Sequence, residues 1–324
     1  MIKTAVLRLK LVFTMLMLTG WPILAAQEGA GQKKPPTFLE FLFQPKFTVM
    51  LAIGFIVLFL LKSRRMSHGL KVAFLLLATL LFGIIGNVGI PIFSSFSMHP
   101  SPMCAAAKPF LFGFRVPFMA MLAAMALLTL IGPKLFCGWI CPVGAVQELI
   151  AMAADKMKLV RKKINYSISY GIRMALFLFF LITGAAGLIT MTVKDQIIPF
   201  NIYDQINPFH GFEFNFGPTF LDNLILYLPF LLTVVLAFKL YRPFCHFICP
   251  FGLYAHFLEQ IGLFRISLNK TKCTDCKICV RKSPCQAVPS ILNATELRPE
   301  CYSCDDCVKL CPEKALTYGI KKVG

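Results

Sequence analysis

The chemistry on offer in this chain is thiol chemistry: thirteen cysteines in 324 residues, eight of them packed into one late stretch. That stretch reads Cys273-Thr-Asp-Cys276-Lys-Ile-Cys279, then Cys285, then Cys301-Tyr-Ser-Cys304-Asp-Asp-Cys307-Val-Lys-Leu-Cys311-Pro312. Three thiolates at two-residue steps let one tight loop wrap three corners of an iron–sulfur cube, and in a two-cluster arrangement the fourth ligand comes from the other motif. The first cluster then takes Cys273, Cys276, Cys279 and Cys311, and the second takes Cys301, Cys304, Cys307 and Cys285. Four-cysteine zinc sites compete with this reading, but they usually come as two C-x2-C pairs a dozen or more residues apart. The second motif ends in Cys311-Pro312, as in bacterial ferredoxins. The first departs, with five residues between Cys279 and Cys285 and Pro284 placed before the cysteine, which predicts a longer loop on the second cluster.

Four more cysteines form an internal repeat. Lys134-Leu-Phe-Cys137-Gly-Trp-Ile-Cys141-Pro142-Val-Gly144 matches Arg242-Pro-Phe-Cys245-His-Phe-Ile-Cys249-Pro250-Phe-Gly252 at an offset of 108 residues. Cysteines four apart share a helix face, yet a following proline disfavours helical geometry at the second cysteine and suits the first turn of a new helix. Cys141 and Cys249 are therefore expected near helix N-termini beside a basic residue, where a thiolate is favoured. If the two copies meet, four thiolates converge at the cytoplasmic membrane surface. Metal or cluster binding, a redox-active thiol set and a structural turn all remain open for Cys137, Cys141, Cys245 and Cys249.

The elements that must position these cysteines are membrane helices. The chain is 57% hydrophobic and only 15% charged, with a mean hydropathy of +0.71, whereas soluble domains are about a quarter charged. Its net charge of +18 sits in short clusters between apolar spans and not on one arm, which gives no reason to expect nucleic acid. Residues 1–26 fit either a signal peptide or a first membrane helix, and residues 27–46 form a polar segment outside. Further spans are expected over about Phe47 to Leu61, Val72 to Ile92, Val116 to Ile131, Tyr170 to Met191 and Leu221 to Leu240. The fold class is thus mainly α: a polytopic bundle of about six spans, five if the leader is removed, with a small C-terminal α+β ferredoxin-like 2[4Fe–4S] domain. The domains are expected at 1–26, 27–261 and 262–324.

Basic residues crowd two loops, Lys62 to Lys71 and Lys156 to Lys163, whereas the 193–222 loop carries Lys194 against Asp195, Asp204, Glu213 and Asp222. By the positive-inside rule the C-terminal cysteines face the cytoplasm, where thiols stay reduced and a disulfide framework is not expected. Both hairpins leading to the repeated loops run out and back, which predicts parallel repeats about an axis along the membrane normal.

Other residues carry weaker signals. Cys104 stands alone on the outer side, either as an ordinary loop thiol or as a ligand with His99 and Met103. His68, His99, His210, His246 and His256 all fall in or beside loops, which argues against axial haem ligation. The loop from Phe200 through Tyr203, Asp204 and Phe209 to His210 suits either an aromatic belt or a quinol slot with a proton acceptor. Gly83, Gly86, Gly89, Gly184 and Gly187 suit close packing, and Asn87 and Asn201 have no assigned role.

With both cysteine patterns in hand, the chain resembles the polyferredoxin-type membrane proteins of the NapH, MauN and NosR group, over roughly residues 70–324. The resemblance implies electron transfer between the quinol pool or cytoplasmic donors and a redox partner on the outer side of the bacterial inner membrane. It also implies two [4Fe–4S] clusters, a quinol dehydrogenase-type role within a complex, and lipid, quinol and an external redox protein as partners. The NosR type carries a large external flavin-binding domain, for which nothing here is long enough. The FixG-type relatives share the cysteine loops, and through them the alternative is metal handling or oxidase maturation by copper reduction. A third reading is a structural anchor.

Overall fold

The computed structural model describes residues 38–88, 90–159, 162–193, 196–213, 219–295 and 300–320. The leader expected at 1–26 lies outside them, as do Gly89, Arg161, Lys194 and Asp195. Four helices are long and apolar enough to cross a membrane: Pro45–Lys62, His68–Asn87, Tyr166–Gly184 and Phe220–Ala237. At 1.5 Å per residue each spans about 27–30 Å, the thickness of bilayer hydrocarbon. Val116–Ile131 is apolar but has only 16 residues.

Local chemistry sets the helix starts. Pro45 begins the first helix. Ser67 caps the second by accepting from the Leu70 amide, Asn165 accepts from Ser167, and Thr219 accepts from Asp222, each satisfying an amide that would otherwise be orphaned. Outward faces are apolar, with Phe55, Ile56, Phe59, Ile225, Leu232 and Val235 all exposed, as lipid contact requires.

Three expected spans end early. The second stops at Asn87, after its last turns widen into a π segment at Thr79–Ile84. Asn87 explains the stop: its side chain donates to the Gly83 carbonyl at 2.7 Å and accepts from Ser97. The 166 helix ends at Ala185 instead of Met191, because Gly187 takes φ +69° and β-branched residues beyond it form an antiparallel pair, Thr190–Val193 with Gln196–Pro199. The last span stops at Ala237. Gly83, Gly86 and Gly184 pack closely, though mainly against loops: a Cβ on Gly83 would meet the Phe212 ring at 2.8 Å, one on Gly86 the Ser97 amide at 2.6 Å, and one on Gly184 the Phe200 carbonyl at 2.4 Å, whereas Gly187 has open space around it. Asn201 caps the Ile202–Gln205 turn.

Both repeat copies re-enter the bundle. After Val116–Ile131 the chain reaches Pro133, whose carbonyl accepts from Ser303 in the C-terminal segment. It then turns back through the short helix Leu135–Trp139 to Pro142, which packs against Gly83 in the far part of the second span. The helix Pro142–Lys156 descends again, so that Met152 and Asp155 share a cavity wall with His68 at that span's start. The second copy does the same with Pro243–Phe247 and Phe251–Ile261, finishing where the Leu263 amide donates to the Leu130 carbonyl. The proline breaks fall where expected, and the tips of the loops are buried among protein side chains.

The C-terminal segment is closed by antiparallel strands Phe264–Leu268 and Leu316–Ile320 and docks into the bowl between the repeats. Trp139 donates to the Ser303 carbonyl, and Arg64 donates to the carbonyls of Lys314 and Leu316. Gly138 marks the closest approach: a Cβ there would sit 2.3 Å from the Tyr302 carbonyl oxygen. Gly138→Ala is expected to cost about 1–3 kcal/mol by overpacking and to expose the C-terminal segment to limited proteolysis. Gly171→Ala, with nothing within 4 Å, serves as the silent control.

Candidate functional site

The two C-x2-C-x2-C loops share one backbone device. In each, the residue before and the residue after the middle cysteine have positive φ: Asp275 and Lys277 around Cys276, Ser303 and Asp305 around Cys304. Alternating right- and left-handed residues fold successive amides into a concave nest suited to an anionic centre. Cys273, Cys276, Cys279 and Cys311 line one cavity of about 370 Å³ together with Leu268, Leu292 and Pro312. Cys285 lies within electrostatic reach of both Cys304 and Cys307, and Cys301 of Cys307. The structure thus brings Cys311 to the cavity of the first triplet and Cys285 beside Cys304 and Cys307. The five residues between Cys279 and Cys285 leave through the end of the turn Ile278–Lys282, after which Ser283 turns its hydroxyl to the Cys285 sulfur at 3.5 Å.

The repeated loops meet. Cys137, Cys141, Cys245 and Cys249 line a single cavity of about 380 Å³, walled by Pro102, Phe136, Phe209, Phe244, Phe251 and Tyr302 among others. All four are buried. Backbone amides of Val143 and Gly144 point at the Cys141 sulfur, and those of Phe251 and Gly252 at Cys249, which is the helix-start geometry expected of both. Gln147 donates to the Cys245 sulfur at 3.4 Å and accepts from the Phe244 amide. Four cysteine sulfurs facing one cavity are the same kind of donor set that each C-terminal loop offers. Among the described residues no three His, Cys, Asp or Glu side chains converge closely enough to hold a single ion.

Below this cavity lies a buried charge network that the sequence analysis did not anticipate. Lys134 and Arg242, each three residues before the first cysteine of its copy, are both left-handed and buried. Arg242 crosses to the other copy, binding Glu148 at 3.0 Å and the Cys137 carbonyl at 2.7 Å. Lys134 crosses likewise to Glu259 at 3.7 Å and also binds Glu300 at 2.7 Å. Arg173 pairs with the other Glu300 oxygen, and Lys71 joins Glu148 to Asp306 at 2.7 and 2.9 Å. Tyr302 donates to Glu300 and lies between the cations, with Arg242 4.5 Å and Lys134 5.0 Å from its ring centre. One signal was available: a basic residue recurs at the same place in both copies.

Several expectations are corrected here. Tyr203, Phe209 and Phe212 are buried and pack on Phe180, Phe244 and Phe230, so the 200–210 loop caps the four-cysteine cavity and forms neither a belt nor an open slot. Cys104 does not gather with His99 and Met103. Its sulfur faces Asp204 at 3.7 Å, Met103 is core, and His99 pairs with Glu213. His246 and His256 are buried in short helices instead of loops, the latter bonded to the Tyr166 hydroxyl at 2.7 Å.

Comparison with known proteins follows this geometry. A family described as a 4Fe–4S binding domain matches residues 114–167 and 223–270, the two copies of the repeat with all four of their cysteines. An uncharacterised protein of Methanocaldococcus jannaschii is 30% identical over 208 residues, 63% of this chain and 80% of that one. The ferredoxin-type protein NapH of Haemophilus influenzae is 26% identical over 204 residues, 59% of this chain and 64% of NapH. The regulatory protein NosR of Stutzerimonas stutzeri is 26% identical over 194 residues, 59% of this chain and 25% of NosR. The chain belongs to the NapH/MauN/NosR-type ferredoxin-like membrane proteins. The electron-transport and ferredoxin-type relatives support an electron-transfer role, and the match spans under two thirds of NapH and a quarter of NosR. No solved structure matches it.

In this NapH-type chain the charge network makes a firm prediction. Burial alone would raise the Glu300 carboxyl, but Lys134 and Arg173 beside it hold it well below the usual carboxylate range. Glu300→Gln strands two buried cations and is expected to cost about 3–5 kcal/mol, read as a lower thermal midpoint. Because the folded-state value is depressed, the wild-type contribution is complete above the ordinary glutamate value of about 4.3 and is lost as pH falls below it. The Gln variant is expected to show a flatter acid limb.

Proposed function

We propose that the chain relays single electrons between the membrane and the cytoplasm through three iron–sulfur sites: Cys137/Cys141/Cys245/Cys249, Cys301/Cys304/Cys307/Cys285 and Cys273/Cys276/Cys279/Cys311. The observation that carries this is Tyr302. It sits in sequence between Cys301 and Cys304, and its side chain forms a wall of the four-cysteine cavity, so one residue separates two of the sites. Cubes held by four thiolates supply reversible one-electron storage when bound. The protein contributes burial, the amide nests, and the cations of Lys134 and Arg242 close to the thiolate sets, which offset negative charge gathered there.

In this reading residues 27–261 form the membrane domain of a multi-pass inner-membrane protein, and residues 262–324 a cytoplasmic ferredoxin-like domain. Quinol is the membrane-side electron donor or acceptor. A cavity of about 320 Å³ lined by His68, Lys71, Glu148, Met152, Tyr241, Pro284 and Asp306 lies at the lower end of the usual size for small-molecule sites and adjoins the Cys285/Cys307 set. A redox protein on the outer face completes the path, making the chain a quinol dehydrogenase-type subunit.

The test is iron analysis of anaerobically purified protein in which Cys137, Cys141, Cys245 and Cys249 are changed to serine. Three equal sites predict a loss of about one third of the iron with a matching loss of low-temperature paramagnetic signal after dithionite. Unchanged iron and spectra would remove the membrane site, and colourless wild-type protein would end the whole reading.

A further inference from the structure

We propose that the rim around Cys276 is the docking face for an acidic one-electron carrier protein in the cytoplasm. The inference rests on the relay reading and adds its soluble partner. The two C-terminal cysteine sets differ sharply in access. Cys285, Cys301, Cys304 and Cys307 are all buried, under the bundle. Cys276 is exposed, and Cys273 and Cys311 are partly so, which makes the Cys273/Cys276/Cys279/Cys311 set the one that a protein in solution can approach.

The surface around that opening is strongly basic. Lys270, Lys272, Lys277, Arg281 and Lys282 are exposed within thirteen residues, against exposed Asp275 and Glu313. Of these cations Lys277 has an acidic neighbour, Asp275 at 3.8 Å, with both side chains mostly exposed, a geometry that contributes little. Arg281 donates to the Cys276 carbonyl, which ties one rim cation to the loop itself. The cations are thus not consumed by internal pairing, unlike Lys71, Lys134 and Arg242 deeper in the protein.

The part of the rim that carries Lys270, Lys272 and Lys277 is free of the bundle, whereas Lys163 donates to the Val280 and Arg281 carbonyls and Lys282 lines the cavity shared with His68 and Lys71. The C-terminal segment grips the membrane helices through Glu300, Ser303, Asp306, Lys314 and Leu316. Among the described residues, no hydrogen bond or ion pair of residues 269–277 reaches that part of the chain. This favours a protein partner over the anionic lipid that positive-inside residues otherwise meet. A positive rim steers an oppositely charged partner and raises its encounter rate, an effect that falls with salt. The step at this face is the movement of one electron between the carrier's reduced centre and the chain, with no bond made or broken.

The test uses intact, iron-loaded protein in phosphatidylcholine nanodiscs. An acidic flavodoxin and an acidic [2Fe–2S] ferredoxin serve as probes, and basic cytochrome c as the opposite-charge control. Wild type is expected to bind the acidic carriers in a calorimetric titration, with affinity falling at least about tenfold when salt rises from dilute buffer to physiological strength. Lys270→Glu, Lys272→Glu and Lys277→Glu together are expected to weaken that binding at least about tenfold and to improve binding of cytochrome c. Iron content and visible spectrum should stay unchanged, which keeps a folding failure from passing as support; the milder triple Lys→Gln variant should fall between. Equal binding by wild type and the Glu variant, or no binding by wild type, overturns the docking face. So does loss of carrier binding when phosphatidylglycerol replaces phosphatidylcholine, because the rim would then be a lipid contact. None of these outcomes touches the relay reading, which stands or falls on iron and spectra.

Discussion

The Glu300 carboxylate is the joint on which the molecule turns. One oxygen binds Lys134 from the first repeat and the Tyr302 hydroxyl, and the other binds Arg173 from the third long span. All of these groups are buried, so no water competes and none can be lost without stranding another charge. Arg242 and Glu148 repeat the logic between the two copies. The network makes re-entry affordable: two loops rich in backbone polar groups can sit inside an apolar bundle only where protein satisfies them.

That constraint explains why the cysteine loops could be found in the sequence while their depth could not. Cys137, Cys141, Cys245 and Cys249 announce themselves by repetition, and Pro142 and Pro250 mark the break in each helix. What escaped the sequence is the pairing of Lys134 and Arg242, both of them buried. Their partners, Glu259, Glu300 and Glu148, lie 94 to 166 residues away for the pairs that bond most closely, and no local pattern reveals a pairing that long. The family match falls on these same loops and stops short of Cys273, so the cysteines whose role spacing left most open are the ones it covers.

The C-terminal sets were legible for the opposite reason. Their ligands are grouped by short steps, and the positive-φ positions 275, 277, 303 and 305 follow from forcing three sulfurs of a seven-residue loop toward one point. Cross-exchange pairs each triplet with Cys311 or Cys285, and the fold brings Cys311 to the first triplet's cavity and Cys285 beside Cys304 and Cys307. Span ends were legible only to within a turn. Asn87 and Gly187 each stop a helix through a specific hydrogen bond or dihedral that hydropathy averages away.

Tyr302 has consequences beyond packing. Its ring centre lies 4.5 and 5.0 Å from two cations and its hydroxyl donates to an anion, so both ring and tip are held. A rotatable residue between two electron-holding sites would vary the gap between them; this one cannot move without breaking three contacts and uncovering Glu300. Rigidity there also couples the halves of the protein mechanically. The C-terminal segment cannot detach and leave the four-cysteine cavity closed, since Tyr302 is part of its wall. In the relay proposed above, the same side chain walls the four-cysteine site and spaces it from the next, and both duties would rest on the Glu300 network that holds it.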